Sequence, residues 1–224
     1  MGDKLIMDYH AKVIFNKNKV KSIGSVPLEP HPDTGPGCPE LLQASAEFAM
    51  AHGGPFVKSV VEHVKAFAKP PEGYWYIVDS KVHMLKPGWY PGIPGWHVDF
   101  APGWTDIVDW DKVDSEERHF ACISSDVSKT VFLDKPLELE VPWEPKINRF
   151  LSNVVQAYDH MFRRHIDAGQ IIEFGQTDLH AVQPATGSGW RIFVRVSITR
   201  LRPILNHVRL HGSQVYIVDL NGGW

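Results

Sequence analysis

Apolar positions recur at helical spacing in three stretches of the chain and alternate with polar ones through most of the rest. Residues 40–51 (ELLQASAEFAMA) are rich in helix formers and end at Gly53-Gly54, which predicts a helix closed by glycine. Residues 56–68 carry Phe56, Val60, Val61, Val64 and Phe67 on one helical stripe. A longer stripe at 146–166 contains Ile147, Phe150, Leu151, Val154, Val155, Tyr158, Met161 and Phe162. Residues 3–15 read as a short strand or hairpin arm. The prolines at 27, 30, 32, 36 and 39 then forbid a regular element, because each removes a donor and fixes φ.

From Tyr74 the pattern shortens to period two, broken by Pro, Gly and Asp. Strands are predicted near 74–78, 82–86, 96–100, 119–124, 130–133, 137–141, 171–174, 177–183, 191–199 and 214–219. The expected fold class is mainly β with flanking helices, a sandwich or barrel rather than a parallel α/β sheet. A chain of 224 residues fits a single domain spanning 1–224.

Composition adds chemistry to that frame. Hydrophobic residues are 43% and charged residues 22%, which argues against wholesale disorder. The net charge of −3 gives no global basic footprint for gripping phosphates, which disfavours nucleic acid without excluding it. The segment 106–118 holds four Asp and two Glu against one Lys and one Arg, and disfavours an anionic polymer further. No apolar stretch approaches the ~18 residues of a membrane span, so no membrane partner is expected. The first 15 residues lack the basic and long apolar regions of a signal peptide. Ile6 stands where a myristoylation signal wants Ser or Thr. Cys38 and Cys122 form no CxxC pair, and together these features point to a cytoplasmic protein.

The 12 histidines exceed what a core needs and prompt a search for a metal site. His-x-Asp triplets occur at His31, His97 and His165, against about 0.8 expected by chance. Alternate residues of a strand share a face, so His97 and Asp99 can meet one ion. In a helix His165 and Asp167 diverge, and His31 and Asp33 flank a proline in a turn-rich stretch with no strand to aim them. His207 and His211 are four apart but follow Pro203 with no helper carboxylate nearby, and read as surface residues. A third ligand must come from elsewhere, and His180 lies in a strand-like segment after a turn. Eleven residues on, Arg191 opens RIFVRVSITR, whose odd positions, Arg191 to Thr199, share one face while Ile192, Val194, Val196 and Ile198 form the other. Either the strand is amphipathic with its arginines in water, or its apolar face packs on the early helices and the Arg-Phe-Arg-Ser face lines a polar barrel interior.

Pro94-Gly-Trp-His-Val-Asp99, with Leu179-His-Ala-Val-Gln-Pro-Ala185 and Arg191, resembles the Fe(II)/2-oxoglutarate-dependent dioxygenase superfamily over roughly 74–199. The resemblance implies a double-stranded β-helix (a jelly roll, or cupin-like barrel) at about 74–200, buttressed by the N-terminal helices. The helix at 146–166 would be an insertion. It implies that His97, Asp99 and His180 hold Fe(II), two histidines and one carboxylate leaving open positions. Arg191 would bind the distal carboxylate of the cosubstrate 2-oxoglutarate, assisted by Thr130. Arg195 would contact substrate, or exchange roles with Arg191. The implied reaction uses O2 to hydroxylate a small molecule or side chain, with succinate and CO2 as co-products. A Pro/Gly-framed aromatic loop with Trp89, Tyr90 and Trp96, followed by Trp104, would clamp a planar or apolar substrate or else fill the barrel rim. The alternative is a cupin-like metal enzyme, or a metal-binding jelly-roll module, that does not use 2-oxoglutarate and has no need of Arg191.

Overall fold

The computed structural model describes residues 10–18, 20–28, 38–102, 107–143, 147–158, 163–209 and 214–217. Along the chain these form β1 (His10–Phe15), β2 (Lys21–Ser25), β3 (Glu40–Leu42), α1 (Ala46–His52), α2 (Gly54–Phe67), β4 (Trp75–Leu85) and β5 (Arg118–Ile123). There follow β6 (Thr130–Leu133), β7 (Leu137–Pro142), α3 (Ile147–Tyr158), β8 (Arg163–His165), β9 (Gln170–Phe174), β10 (His180–Val182), β11 (Gly189–Thr199) and β12 (His207–Arg209). The fold is mainly β and the paired strands are antiparallel.

A five-stranded sheet in the order β2-β9-β5-β11-β4 carries one wall, and a three-stranded sheet, β10-β6-β8, faces it. Neither sheet closes into a barrel among the described residues. Two-stranded pairs β1-β7 and β12-β3 flank them. Alternation along β11 decides which face meets what. Ile192, Val194, Val196 and Ile198 are fully buried against Val57, Val60, Val61 and Val64 of α2, the second of the two arrangements the pattern allows. Each such valine contributes about 1.5–3 kcal/mol relative to exposure. The opposite face turns to the smaller sheet, where Phe132 of β6 packs with Ala121, Ile123, Ile172 and Phe174.

Several boundaries differ from the sequence expectation. The segments expected at 74–78 and 82–86 are one strand, Trp75–Leu85, because its polar centre is satisfied in place. The Ser80 hydroxyl accepts from the Leu41 amide at 2.9 Å, and Asp79 meets Arg195 across the sheet. The helix expected at 40–51 starts only at Ala46, where Ser45 caps it by accepting from the Phe48 amide at 3.1 Å. Residues 40–42 instead pair with β12, a strand the sequence did not announce. Strand β2 was also unannounced. It carries a bulge at Gly24, where a Cβ would lie 2.6 Å from the His63 ring, so only glycine fits.

Of the pattern at 146–166, Ile147–Tyr158 is helical, Met161 and Phe162 lie outside the described residues, and β8 begins at Arg163. His165 therefore sits on an exposed strand, not at a helix end, while Asp167 pairs with Lys129 at 2.6 Å. α3 buries Ile147, Leu151 and Val155 against Val13, Val131, Leu133 and Val141. A cavity of about 350 Å³ opens beside it, lined by Ala11, Trp110, Val141 and Trp143, and none of the described candidate site residues lines it. His31, Asp33, Trp104 and His211 lie outside the described residues. No helix among the described residues is long and apolar enough to cross a membrane.

Candidate metal centre

The segment expected as a strand at 96–100 makes a single antiparallel bridge, His97 to His180. The two residues exchange both backbone hydrogen bonds at 3.0 Å, which places their side chains on one face with ring centroids 4.4 Å apart. Asp99, two residues on, returns to that face, whereas Trp96 and Val98 are buried on the other. Potential ligand atoms of His97, Asp99 and His180 all lie within 4.8 Å of one another. The Asp99 Oδ2 to His180 Nε2 distance is 3.5 Å. Adjacent ligands at about 2.1 Å from one ion stand about 3 Å apart, so little adjustment is needed.

The second nitrogen of each ring identifies the free one. His97 Nδ1 donates to the Gly95 carbonyl at 3.0 Å and His180 Nδ1 to the Asp178 carbonyl at 2.9 Å. Only a protonated Nδ1 satisfies a carbonyl, so both Nε2 lone pairs are left for the cluster. Burial, then the neighbouring His180, push His97 down to about 4, which keeps it neutral at physiological pH. Burial alone would raise the Asp99 carboxyl, but the Arg195 guanidinium and then His180 hold it well below its usual range. Two imidazoles and one carboxylate suit a divalent first-row metal. The donor set fits.

Supporting groups fix this arrangement. Arg195 donates to Asp99 Oδ2 at 2.5 Å and to Asp79 Oδ2 at 2.9 Å. Phe100 follows Asp99 with φ +56°, a conformation that costs a non-glycine residue on the order of 1–3 kcal/mol. Its ring lies between the Arg195 and Arg202 guanidiniums, at 4.3 and 3.9 Å from its centroid, which holds the turn in place. Phe132 and Phe174 stand 5.2 Å from the His180 ring and wall the centre off from the core.

Arg191 is buried to 1% exposure. Its Nε donates to the Ser128 carbonyl at 2.8 Å and its Nη2 to Thr130 Oγ1 at 3.1 Å. No carboxylate pairs with it among the described residues, and burial lowers its guanidinium to about 9. His83, opposite Arg191 in the β4–β11 register, is equally buried. Neither ring nitrogen of His83 has a well-aligned hydrogen-bond partner among the described residues, and the nearby Gln214 backbone acts only to raise it. Burial and then Arg191 push it to about 3.

The structure thus joins His97, Asp99 and His180 in one cluster and places Thr130 on Arg191. Arg195, expected against substrate or in exchange with Arg191, has both terminal nitrogens on carboxylates. Trp89 and Tyr90 are half-buried. The Trp89 carbonyl accepts from Ala185, and Tyr90 bridges to Tyr216. Trp96 belongs to the core cluster under α3 and does not line the centre. Sequence reasoning missed Asp79 and the buried pair His119 and Glu117. His119 Nδ1 meets Ser197 Oγ at 2.9 Å, and its Nε2 lies 3.7 Å from Glu117 Oε1. A charged residue inside an apolar strand run such as Tyr-Ile-Val-Asp79 was the available signal, since a buried charge demands a partner.

No family model and no curated protein matches the chain. Solved structures that align with it do so at low similarity. A non-heme monooxygenase, described as a ThoJ–Ni complex, shares 12% identity at a TM-score of 0.35 and aligns with 63% of this chain and 50% of its own. An N-substituted L-amino acid dioxygenase from Burkholderia ambifaria AMMD shares 13% identity at 0.36 and aligns with 68% of this chain and 65% of its own. The chain therefore spans between half and two thirds of their lengths.

Proposed function

We propose that this chain is an Fe(II)- and 2-oxoglutarate-dependent oxygenase that oxidises a small molecule or side chain, built on a double-stranded β-helix from the two stacked sheets. One observation carries the reading. Two histidines with Nδ1 tied to backbone carbonyls and one carboxylate converge on a point, and a fully buried arginine, with no carboxylate partner among the described residues, faces the same interior.

In this reading His97 Nε2, His180 Nε2 and the Asp99 carboxylate hold the iron. Arg191 receives the distal carboxylate of 2-oxoglutarate through its remaining guanidinium edge, with Thr130 fixing the plane of the fork. Arg195 keeps Asp99 ionised and oriented, and Asp79 holds Arg195. Phe132 and Phe174 exclude water behind His180. Trp89 and Tyr90 line the approach used by substrate. When bound, the iron and cosubstrate supply O2-driven oxidation with succinate and CO2 as co-products.

Anaerobic titration of the full chain with Fe(II) and 2-oxoglutarate tests the proposal through the metal-to-ligand charge-transfer band. A saturable band that His180→Ala and Asp99→Ala weaken or abolish is the expected result. Absence of both the band and succinate formation under air overturns it. Iron binding that survives Arg191→Ala with activity unchanged would favour metal chemistry without 2-oxoglutarate.

A further inference from the structure

Strand β4 places His83 directly opposite Arg191 of β11, so the two side chains are neighbours on one face of the five-stranded sheet. Both are enclosed, at 2% and 1% exposure. Among the described residues neither ring nitrogen of His83 has a well-aligned partner, and no carboxylate balances Arg191. Burial, then Arg191 and Lys81, keep the ring neutral against the opposing pull of the Gln214 backbone. Buried polar groups are nearly always partnered, so an open imidazole beside an open guanidinium points to a ligand that satisfies both.

Contacts join this pair to the metal cluster. Arg191 reaches the facing sheet, where its Nε donates to the Ser128 carbonyl and its Nη2 to Thr130 Oγ1. Thr130 and Phe132 alternate along β6 and share a side, and the Phe132 ring lies 5.2 Å from that of His180. β10 runs beside β6, with Val182 opposite Thr130 and His180 opposite Phe132. One alternate step along β6, about 7 Å, therefore separates the contact to Arg191 from the contact to a metal ligand. An extended five-carbon diacid has a similar reach.

Ser128 and Thr130 occupy the Nε–Nη2 side of the guanidinium, which leaves its Nη1–Nη2 end for two parallel hydrogen bonds to a carboxylate. A carboxylate has about four acceptor sites, and that fork fills two of them. One guanidinium already balances the charge of one carboxylate, so the remaining sites call for an uncharged donor. A neutral imidazole offers one N–H and adds no charge. We propose that His83 is a cosubstrate-binding residue whose ring N–H donates to the distal carboxylate of 2-oxoglutarate while Arg191 grips it end-on. This inference rests on the oxygenase reading above. It makes His83 selective, because an acid with the same 2-oxo acid head and no distal carboxylate gains nothing from the ring.

The test is anaerobic titration of the full Fe(II)-loaded chain with 2-oxoglutarate and with 2-oxovalerate, which has the same chain length and no distal carboxylate. The charge-transfer band is the readout. His83→Leu should raise half-saturation by 2-oxoglutarate at least about tenfold and change that of 2-oxovalerate by less than about twofold. His83→Asn or His83→Gln, whose amides set a donor near Nδ1 or Nε2, should bring 2-oxoglutarate back to within about threefold. Unchanged 2-oxoglutarate binding in His83→Leu, equal weakening for both acids, or recovery by neither amide overturns the proposal. Should His83→Leu not fold, imidazole nitrogen NMR of the unmutated chain with Zn(II) decides. Saturating 2-oxoglutarate should shift a ring signal that is absent from His83→Gln, and saturating 2-oxovalerate should not. The same response to both acids, or to neither, overturns the proposal. A band missing from the unmutated chain is instead the failure of the oxygenase reading.

Discussion

Arg195 Nη1 donates to Asp99 Oδ2 at 2.5 Å, and its other amino nitrogen is tied to Asp79 on the neighbouring strand. A carboxylate beside two histidines is thereby anchored to the rigid five-stranded sheet, although Asp99 itself lies on a bend with no strand of its own. Supporting groups of this kind typically change metal affinity by about 10–100-fold. Arg195→Lys and Asp79→Asn should each weaken divalent metal binding within that range without abolishing it. Competition with a chromogenic chelator checks this. A variant that binds as tightly as the unmutated chain would show that Asp99 needs no such support.

Replacing Arg191 separates two consequences of its burial. Arg191→Lys keeps a charge but loses the planar fork, so the KM for 2-oxoglutarate should rise at least about 30-fold while metal affinity stays unchanged. Thr130→Val removes one neutral hydrogen bond and should raise that KM about fivefold, a cost of about 1 kcal/mol. Succinate formation against cosubstrate concentration measures both.

Glu117 is buried to 2% exposure, and burial raises its carboxyl from 4.5 to about 7. The folded state thus holds a proton between pH 4.5 and 7 that the unfolded chain has released. Stability from this group is fully present below 4.5 and is lost as pH rises through 7. Glu117→Gln should match the unmutated chain near pH 4.5 and exceed it above pH 7, by up to about 3 kcal/mol. Urea unfolding at both pH values checks the sign. His119 works in the other direction. Burial lowers it to about 3, so it favours the fold above about 6.5 and loses that contribution as pH falls.

Leu151 is fully buried and joins α3 to the cluster beneath β1, β6 and β7. Leu151→Ala should cost about 2–5 kcal/mol in chemical denaturation, as for other large-to-small core changes. A loss well under 1 kcal/mol would mean that α3 is dispensable to the core.

Local pattern determined much of this protein. The alternation in RIFVRVSITR separated an apolar face from one carrying both arginines, because side-chain direction in a strand has period two whatever the neighbours are. The same rule put His97 and Asp99 on one face. Tertiary structure decided what periodicity cannot encode. Whether Asp79 ends a strand or sits inside one depends on Arg195, 116 residues away. Whether Glu40 to Leu42 forms a helix or a strand depends on β12 and Ser80. Trp96 could clamp a substrate or fill the barrel rim until the bridge between His97 and His180 fixed the facing and turned it into the core. A sequence carries the spacing of side chains along one strand. Which charges meet across the sheets, and so which groups hold an ion and which wait for a ligand, follows from desolvation and pairing that exist only once the strands have assembled.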